Sequence, residues 1–268
     1  MHSKANDLQG NLPLFYQYNP KGPVKGKGSI VWAHSTSRDL VNWTPQKVAI
    51  YPSQPSDIDG TGLVQPQSSK MSAKNRRLLW AWLNESSSVS DDIKKGWAGI
   101  QAIPRAFWLD KSGKQLVQWP INEIEMLRTN PVHLPSQDFK GGSVLEVSSV
   151  TAAQANHYNS EIGFLLVVIN QTALHPFNRS SLNPDNDKTT YGTFVDVDPV
   201  HEQLSLRSLI DRSVVESFGG LGKSCISARV YPTLAINEAA HLYAFNNGSE
   251  SVTITRLSAW SMKKAHIN

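Results

Sequence analysis

Apolar and polar positions alternate with period two over short stretches, and turn-forming residues break the alternation at short intervals. Leu14–Asn19, LFYQYN, predicts a strand stopped by Pro20, and Ile30–Trp43 reads as strand, polar turn and strand. Arg76–Leu83 alternates around Trp80 and Trp82, and Gly96–Pro104 is a second apolar run closed by proline. Phe107–Leu109 and Gln115–Trp119 flank the turn Asp110–Gly113. Short aromatic-rich strands between polar turns predict antiparallel β-structure. Asn122–Arg128 changes to a helical period, with Ile121, Ile124 and Leu127 on one face, and predicts a short helix. Between these regions Thr61–Asn75 is polar and unpatterned, the character of a linker.

From about Pro131 the strands come at sandwich spacing: Ser143–Val150, Glu161–Ile169, Thr193–Asp198, Leu204–Ile210, Val214–Phe218, Ile226–Tyr231, His241–Phe245 and Ser251–Trp260. A chain of 268 residues can bury one large core or two modest ones. The longest apolar run, Ile162–Ile169, is strand-sized and far short of the roughly 18–20 residues that span a bilayer, so no membrane partner is expected.

The net charge of +4 invites a nucleic-acid reading, but Lys and Arg are scattered and no aromatic-interleaved binding motif accompanies them. GPVKGKG, residues 22–28, imitates a phosphate loop with the wrong spacing, and Lys27 is followed by Gly28 rather than Ser or Thr. His201-Glu202 lacks the second histidine of a zinc motif. Cys225 is the only cysteine, which excludes an internal disulfide and a Cys-rich zinc site. No metal or cofactor is implied. The first residues, MHSKANDLQG, lack the apolar core of about 7–15 residues that a signal peptide needs, so the chain as written reads as cytoplasmic or of unknown location. Yet Asn42, Asn84, Asn170, Asn178 and Asn247 each head an Asn-x-Ser/Thr triplet, a set of glycosylation candidates that fits a secreted ancestor.

WAWLNES, DDIKKGWAGIQAIPR and LVQWPINEIEMLR resemble the plant acid invertases and fructan-active enzymes of glycoside hydrolase family 32. FYQYNP, IVWAHSTSRDLVNW, SQPSDIDG up to Gly60, and the stretch from Asp187 to Gly220 resemble it too. The resemblance implies an all-β fold: a five-bladed β-propeller followed by a β-sandwich. About 120 residues cannot supply five four-stranded blades, so an incomplete propeller is expected over 1–121, a helical linker over 122–130 and the sandwich over 131–268. Pieces of the first and last blades would leave exposed sheet edges, prone to aggregation or dependent on a partner. The family hydrolyses terminal fructosyl residues of sucrose or fructans by a retaining mechanism without a cofactor, and it is secreted or held in the cell wall. A basic surface would there hold acidic polysaccharide.

Residue by residue the family's site transfers poorly. Asn6-Asp7-Leu8-Gln9-Gly10 looks like a degenerate copy of the nucleophile motif Asn-Asp-Pro-Asn-Gly, with Asp7 as the nucleophile; an exposed aspartate in a frayed terminus is the other reading. The resemblance makes Gln17 a pocket-lining residue, whereas a polar side chain on the open face of a strand is the plain alternative. Neither Arg-Asp-Pro nor Glu-Cys occurs in the sequence, so no acid/base residue is identifiable.

Asp57/Asp59, Asp91/Asp92 and Asp196/Asp198 are the substitute carboxylate pairs to weigh, and none has a sequence reason for the raised pKa of a general acid. Glu85, Trp82 and Trp97 are the remaining substrate-binding candidates, although blade packing explains most of the eight tryptophans. Glu216, in VVESFGG, reads as a structural or interface residue. The expectation is a β-fructofuranosidase by descent that is inactive as this chain; the alternative is a non-catalytic sugar-binding or regulatory homologue.

Overall fold

The computed structural model describes residues 12–22, 31–48, 67–71, 76–83, 88–148, 150, 168–169, 173–174, 193–196, 198, 201–211, 214–230, 241–263 and 265. Leu12–Tyr18 (β1), Val31–Ser37 (β2) and Thr44–Pro45 (β3) form an antiparallel sheet in the order β1-β2-β3. The turn before β3 is set by two polar side chains. Ser37 Oγ accepts from the Leu40 amide at 2.8 Å, and Asp39 Oδ1 accepts from the amides of Val41 and Asn42 at 3.0 and 2.7 Å. These bonds hold Leu40 at φ 65°, left-handed backbone that a non-glycine residue enters only under such constraint.

Gln67–Met71 (β4) and Arg76–Trp80 (β5) follow, then Trp82–Leu83 (β6) and Ile100–Gln101 (β7), which pair with each other. Between β6 and β7 lies a helix, Val89–Lys95 (α1). Arg105–Leu109 (β8) and Leu116–Pro120 (β9) complete a four-stranded sheet in the order β4-β5-β8-β9. One sequence expectation is corrected here, and one unexpected helix is added. One third of the supposed linker, Gln67–Met71, is the edge strand of a four-stranded sheet. And α1, which strand patterning did not reveal, has a legible origin: Ser88 Oγ accepts from the Asp91 amide at 3.2 Å while Asp91 returns a bond to the Ser88 amide. Ser88-x-x-Asp91 is thus a capping box, and Gly96, at φ 85°, ends the helix.

The expected helix after the propeller is a 3₁₀ turn, Asn122–Leu127, tighter than the α-period suggested, with Ile121 and Ile124 buried. The chain then runs through Arg128–Leu134 (β10), Gln137–Phe139 (β11) and Val144–Glu146 (β12), with a short pair, Val168–Ile169 (β13) and Ala173–Leu174 (β14), further on. Leu206–Asp211 (β15), Val214–Gly219 (β16) and Ser224–Arg229 (β17) make a three-stranded antiparallel sheet. Tyr243–Phe245 (β18), Val252–Ile254 (β19) and Leu257–Met262 (β20) return antiparallel along β12, β11 and β10. Thr193–Asp198, expected as a strand, contributes only an isolated bridge at Phe194 among its described residues.

The main core lies where the two propeller sheets, the 3₁₀ turn and the β15-β16-β17 sheet converge. Leu40, Leu78, Ile121, Ile124, Leu209 and Phe218 are buried together, with Trp43, Trp80 and Trp119 against them. Register explains the assembly: Leu78, Ala106 and Trp119 are direct cross-strand neighbours on one face of the blade. Trp43 meets Trp80 edge to face at 5.6 Å, joining the two propeller sheets, and Trp119 meets Phe218 at 5.8 Å, joining blade to sandwich. Each fully buried Phe or Leu of this kind contributes about 1.5–3 kcal/mol.

Candidate functional site

The sequence candidates divide into three groups. Asp7, Glu85, Asn84, Asn170, Asn178 and Asp57/Asp59 lie outside the described residues. Gln17 is exposed on β1, directly across from Trp32 on β2. Trp82 and Trp97 belong to one unit, the β6–β7 ribbon and its capped helix. Gly99, at φ 78°, lies beneath the Trp82 indole, and a Cβ there would come within 2.0 Å of Trp82 Nε1. Only glycine allows the ring to seat so closely. Both indoles stay open to solvent, Trp82 at 45% and Trp97 at 43%. Among the glycosylation candidates, Asn42 donates its side-chain amide to Asp39 Oδ2 at 2.7 Å inside the β2–β3 turn, whereas Asn247 is exposed beside the Asn246–Gly248 turn.

Several of the described carboxylates hold structural bonds. Asp91, weighed with Asp92 as a substitute carboxylate pair, caps α1. Asp198 accepts from His201 Nδ1 at 2.6 Å, and Glu123 holds Arg76 through both oxygens, at 2.6 and 2.9 Å. Burial pushes the Asp39 carboxyl up, but hydrogen bonds from Asn42, Val41 and Ser37 outweigh it and hold Asp39 below its ordinary range. The environment of Asp39 thus favours the ionised form, not the protonated form that a general acid needs at neutral pH.

Among the described residues, the most deeply buried charged group is Glu216, which the sequence marked as a structural or interface residue. β16 is buried along its whole length, and its alternation points Val214, Glu216 and Phe218 at the propeller. Glu216, fully enclosed, meets Arg105 of β8: Arg105 Nη2 donates to Glu216 Oε1 at 2.5 Å. The Ile103 amide donates to Oε2 at 2.9 Å, and Ser227 Oγ donates to Oε1 at 2.5 Å. Arg105 also donates through Nη1 to Gln118 Oε1 at 3.1 Å and to Cys225 Sγ at 2.9 Å. Burial pushes the Cys225 thiol up to about 11, against the opposing field of Arg105. Sequence reasoning missed Arg105. The available signal was a lone arginine in QAIPRAFWL, a strand otherwise apolar, facing a glutamate in an equally apolar strand.

Comparison with known sequences decides the lineage. The N-terminal domain of the glycosyl hydrolases family 32 matches residues 6–68 and 64–120, and the C-terminal domain of that family matches residues 125–261. The chain belongs to glycosyl hydrolase family 32. The N-terminal match runs past Gly60, where the motifs alone had ended the resemblance, and its two pieces meet within residues 64–68, at the entry to β4. A fructan 6-exohydrolase of Beta vulgaris is 50% identical over 249 aligned positions, covering 72% of this chain and 41% of that protein. An insoluble β-fructofuranosidase isoenzyme of Arabidopsis thaliana is 46% identical over 256 positions, covering 74% and 44%. The family 32 chain therefore spans less than half the length of these relatives.

Among solved structures, fructan 1-exohydrolase IIa of Cichorium intybus superposes with a TM-score of 0.63 at 33% identity, over 96% of this chain and 61% of that one. The fold is accordingly an incomplete propeller followed by a β-sandwich. A single-residue variant of the chicory protein has also been solved in complex with 1-kestose.

Proposed function

We propose that this chain is a β-fructofuranosidase homologue by descent, its substrate class sucrose or fructan, and that it does not hydrolyse them as this chain. Retaining glycoside hydrolysis needs two carboxyl groups about 5–5.5 Å apart, one attacking the anomeric carbon and one protonating the departing oxygen. Asp7 supplies at most the first. The observation that carries the reading is the lack of an acid/base partner: Arg-Asp-Pro and Glu-Cys are absent from the sequence, and the one fully buried carboxylate among the described residues, Glu216, is locked to Arg105, Ser227 and the Ile103 amide. We read 1–121 as the shortened propeller, 122–130 as the connector and 131–268 as the sandwich, the propeller having lost the stretch between its two matched pieces. Secretion to a cell wall, with acidic polysaccharide as a partner of the basic surface, follows from the lineage. Release of glucose from sucrose by the purified chain tests the reading. No release above a mock preparation is expected, and turnover with a defined pH optimum overturns it.

The solvent-open indoles of Trp82 and Trp97 favour a second reading, a sugar-binding homologue in which these rings, with Glu85 and Gln17, contact a fructosyl chain. An apolar ring beside polar groups is the usual platform for a sugar face. Quenching of tryptophan fluorescence by 1-kestose, lost in Trp82→Ala and Trp97→Ala, supports it. Absence of any saturable change contradicts it.

A further inference from the structure

The β1-β2-β3 sheet has two faces of opposite character. Leu12, Leu14 and Tyr16 share one face with Ser37, Ser35 and Ala33, and this face turns inward, Leu12 packing with the core around Leu78 and Trp80. The direct pairs Pro13–Thr36, Phe15–His34 and Gln17–Trp32 occupy the other face. There Phe15 is 46% exposed and Trp32 36%. The Phe15 ring stacks on His34 at 5.1 Å, and His34 Nδ1 is buried without a hydrogen-bond partner among the described residues. A sheet ending in solvent has no use for two open aromatic rings and an unsatisfied buried nitrogen.

Propeller sheets are covered on both faces, because radial repetition places each sheet between two others. On the inward side Leu12 and Trp43 pack into a shared core with Leu78 and Trp80 of the β4-β5-β8-β9 sheet. The outward face is where the next sheet of a longer propeller would pack, and the two pieces of the N-terminal match meet at 64–68 with no sequence between them to build it. We propose that the Phe15–Trp32 face is a docking surface for a propeller sheet supplied in trans, a β-sheet that lays an apolar face over the two rings and brings a polar group to His34 Nδ1. This rests on the proposed shortening of the propeller and is independent of whether the chain turns over sugar.

The test co-expresses the tagged full chain with the segment of the Beta vulgaris relative's N-terminal domain that this chain lacks. Stoichiometry is read by light scattering after affinity purification. A one-to-one complex is expected, with retention lowered about tenfold or more by Phe15→Ser together with Trp32→Ser. Trp32→Lys, a change at an exposed position that leaves the inward face intact, serves as the second variant should the double change unfold. Failure to recover the segment, equal recovery by wild type and both variants, or self-association of the chain through this face overturns the proposal. Hydrolysis of sucrose by the chain alone would defeat the functional reading and leave the complex untouched.

Discussion

Arg105 and Glu216, 111 positions apart, form a buried ion pair that joins the last propeller sheet to the sandwich. Their side chains are only 8% and 0% exposed. Removing charges from water costs several kcal/mol per ion, so such a pair adds little net stability compared with an apolar substitute, yet breaking it is costly. Arg105→Met is therefore expected to destabilise the chain by about 3–5 kcal/mol, because it leaves Glu216 buried and uncompensated. Arg105→Met combined with Glu216→Leu should recover much of that loss. A double variant no more stable than the single one in urea denaturation would show that the pair is not coupled.

Gly222 lies tightly against β9. At φ 96°, a Cβ there would stand 2.2 Å from the Gln118 carbonyl oxygen on β9. Gly222→Ala must move backbone rather than a flexible side chain and also strains a left-handed residue, so a loss of about 2 kcal/mol or more is expected. A thermal midpoint within a degree of wild type would contradict this.

The thiol of Cys225 should be slow to react while the joint is closed. Held up at about 11 by burial, it is protonated at neutral pH, and the thiolate is the nucleophile. Labelling by a disulfide reagent at pH 8 should run at least about tenfold slower in the folded chain than in urea. Because the folded pKa is raised, the thiol's contribution to stability is full below its ordinary 9.0 and is lost as pH rises toward about 11. Cys225→Ser should flatten that alkaline limb; an unchanged limb would assign it to other groups.

Asp39 gives the opposite sign. Its folded pKa lies below the ordinary 3.8, so its turn-stabilising contribution is present above that value and lost as pH falls through the folded pKa. Asp39→Asn should lower the denaturation midpoint at pH 7 and converge on wild type in strong acid. A difference independent of pH would remove the charge from the explanation.

Strands with clean alternation and adjacent turns were legible from the chain: β1, β2, β5, β8 and β9 follow LFYQYN, IVWAHSTS, RRLLWAWL and the Asp110–Gly113 hairpin. β4 was not, because QSSKM carries one apolar residue and becomes a strand only by pairing with β5 in register from Gln67–Trp80 to Met71–Arg76. α1 was missed for a different reason. Seven residues give too little period to see, and its signal is the capping box rather than a hydrophobic stripe. The joint was half legible. Glu216 read as a structural or interface residue, but nothing local tied it to Arg105, since that bond depends on how two distant sheets pack.

The most direct measurement is fructose release from sucrose and 1-kestose across pH 3–8, by the full chain and its Asp7→Asn variant side by side. A chain with no acid/base partner for Asp7 should give the same background in both at every pH. A bell-shaped profile in the wild type that vanishes in Asp7→Asn would contradict this and require a second working carboxylate.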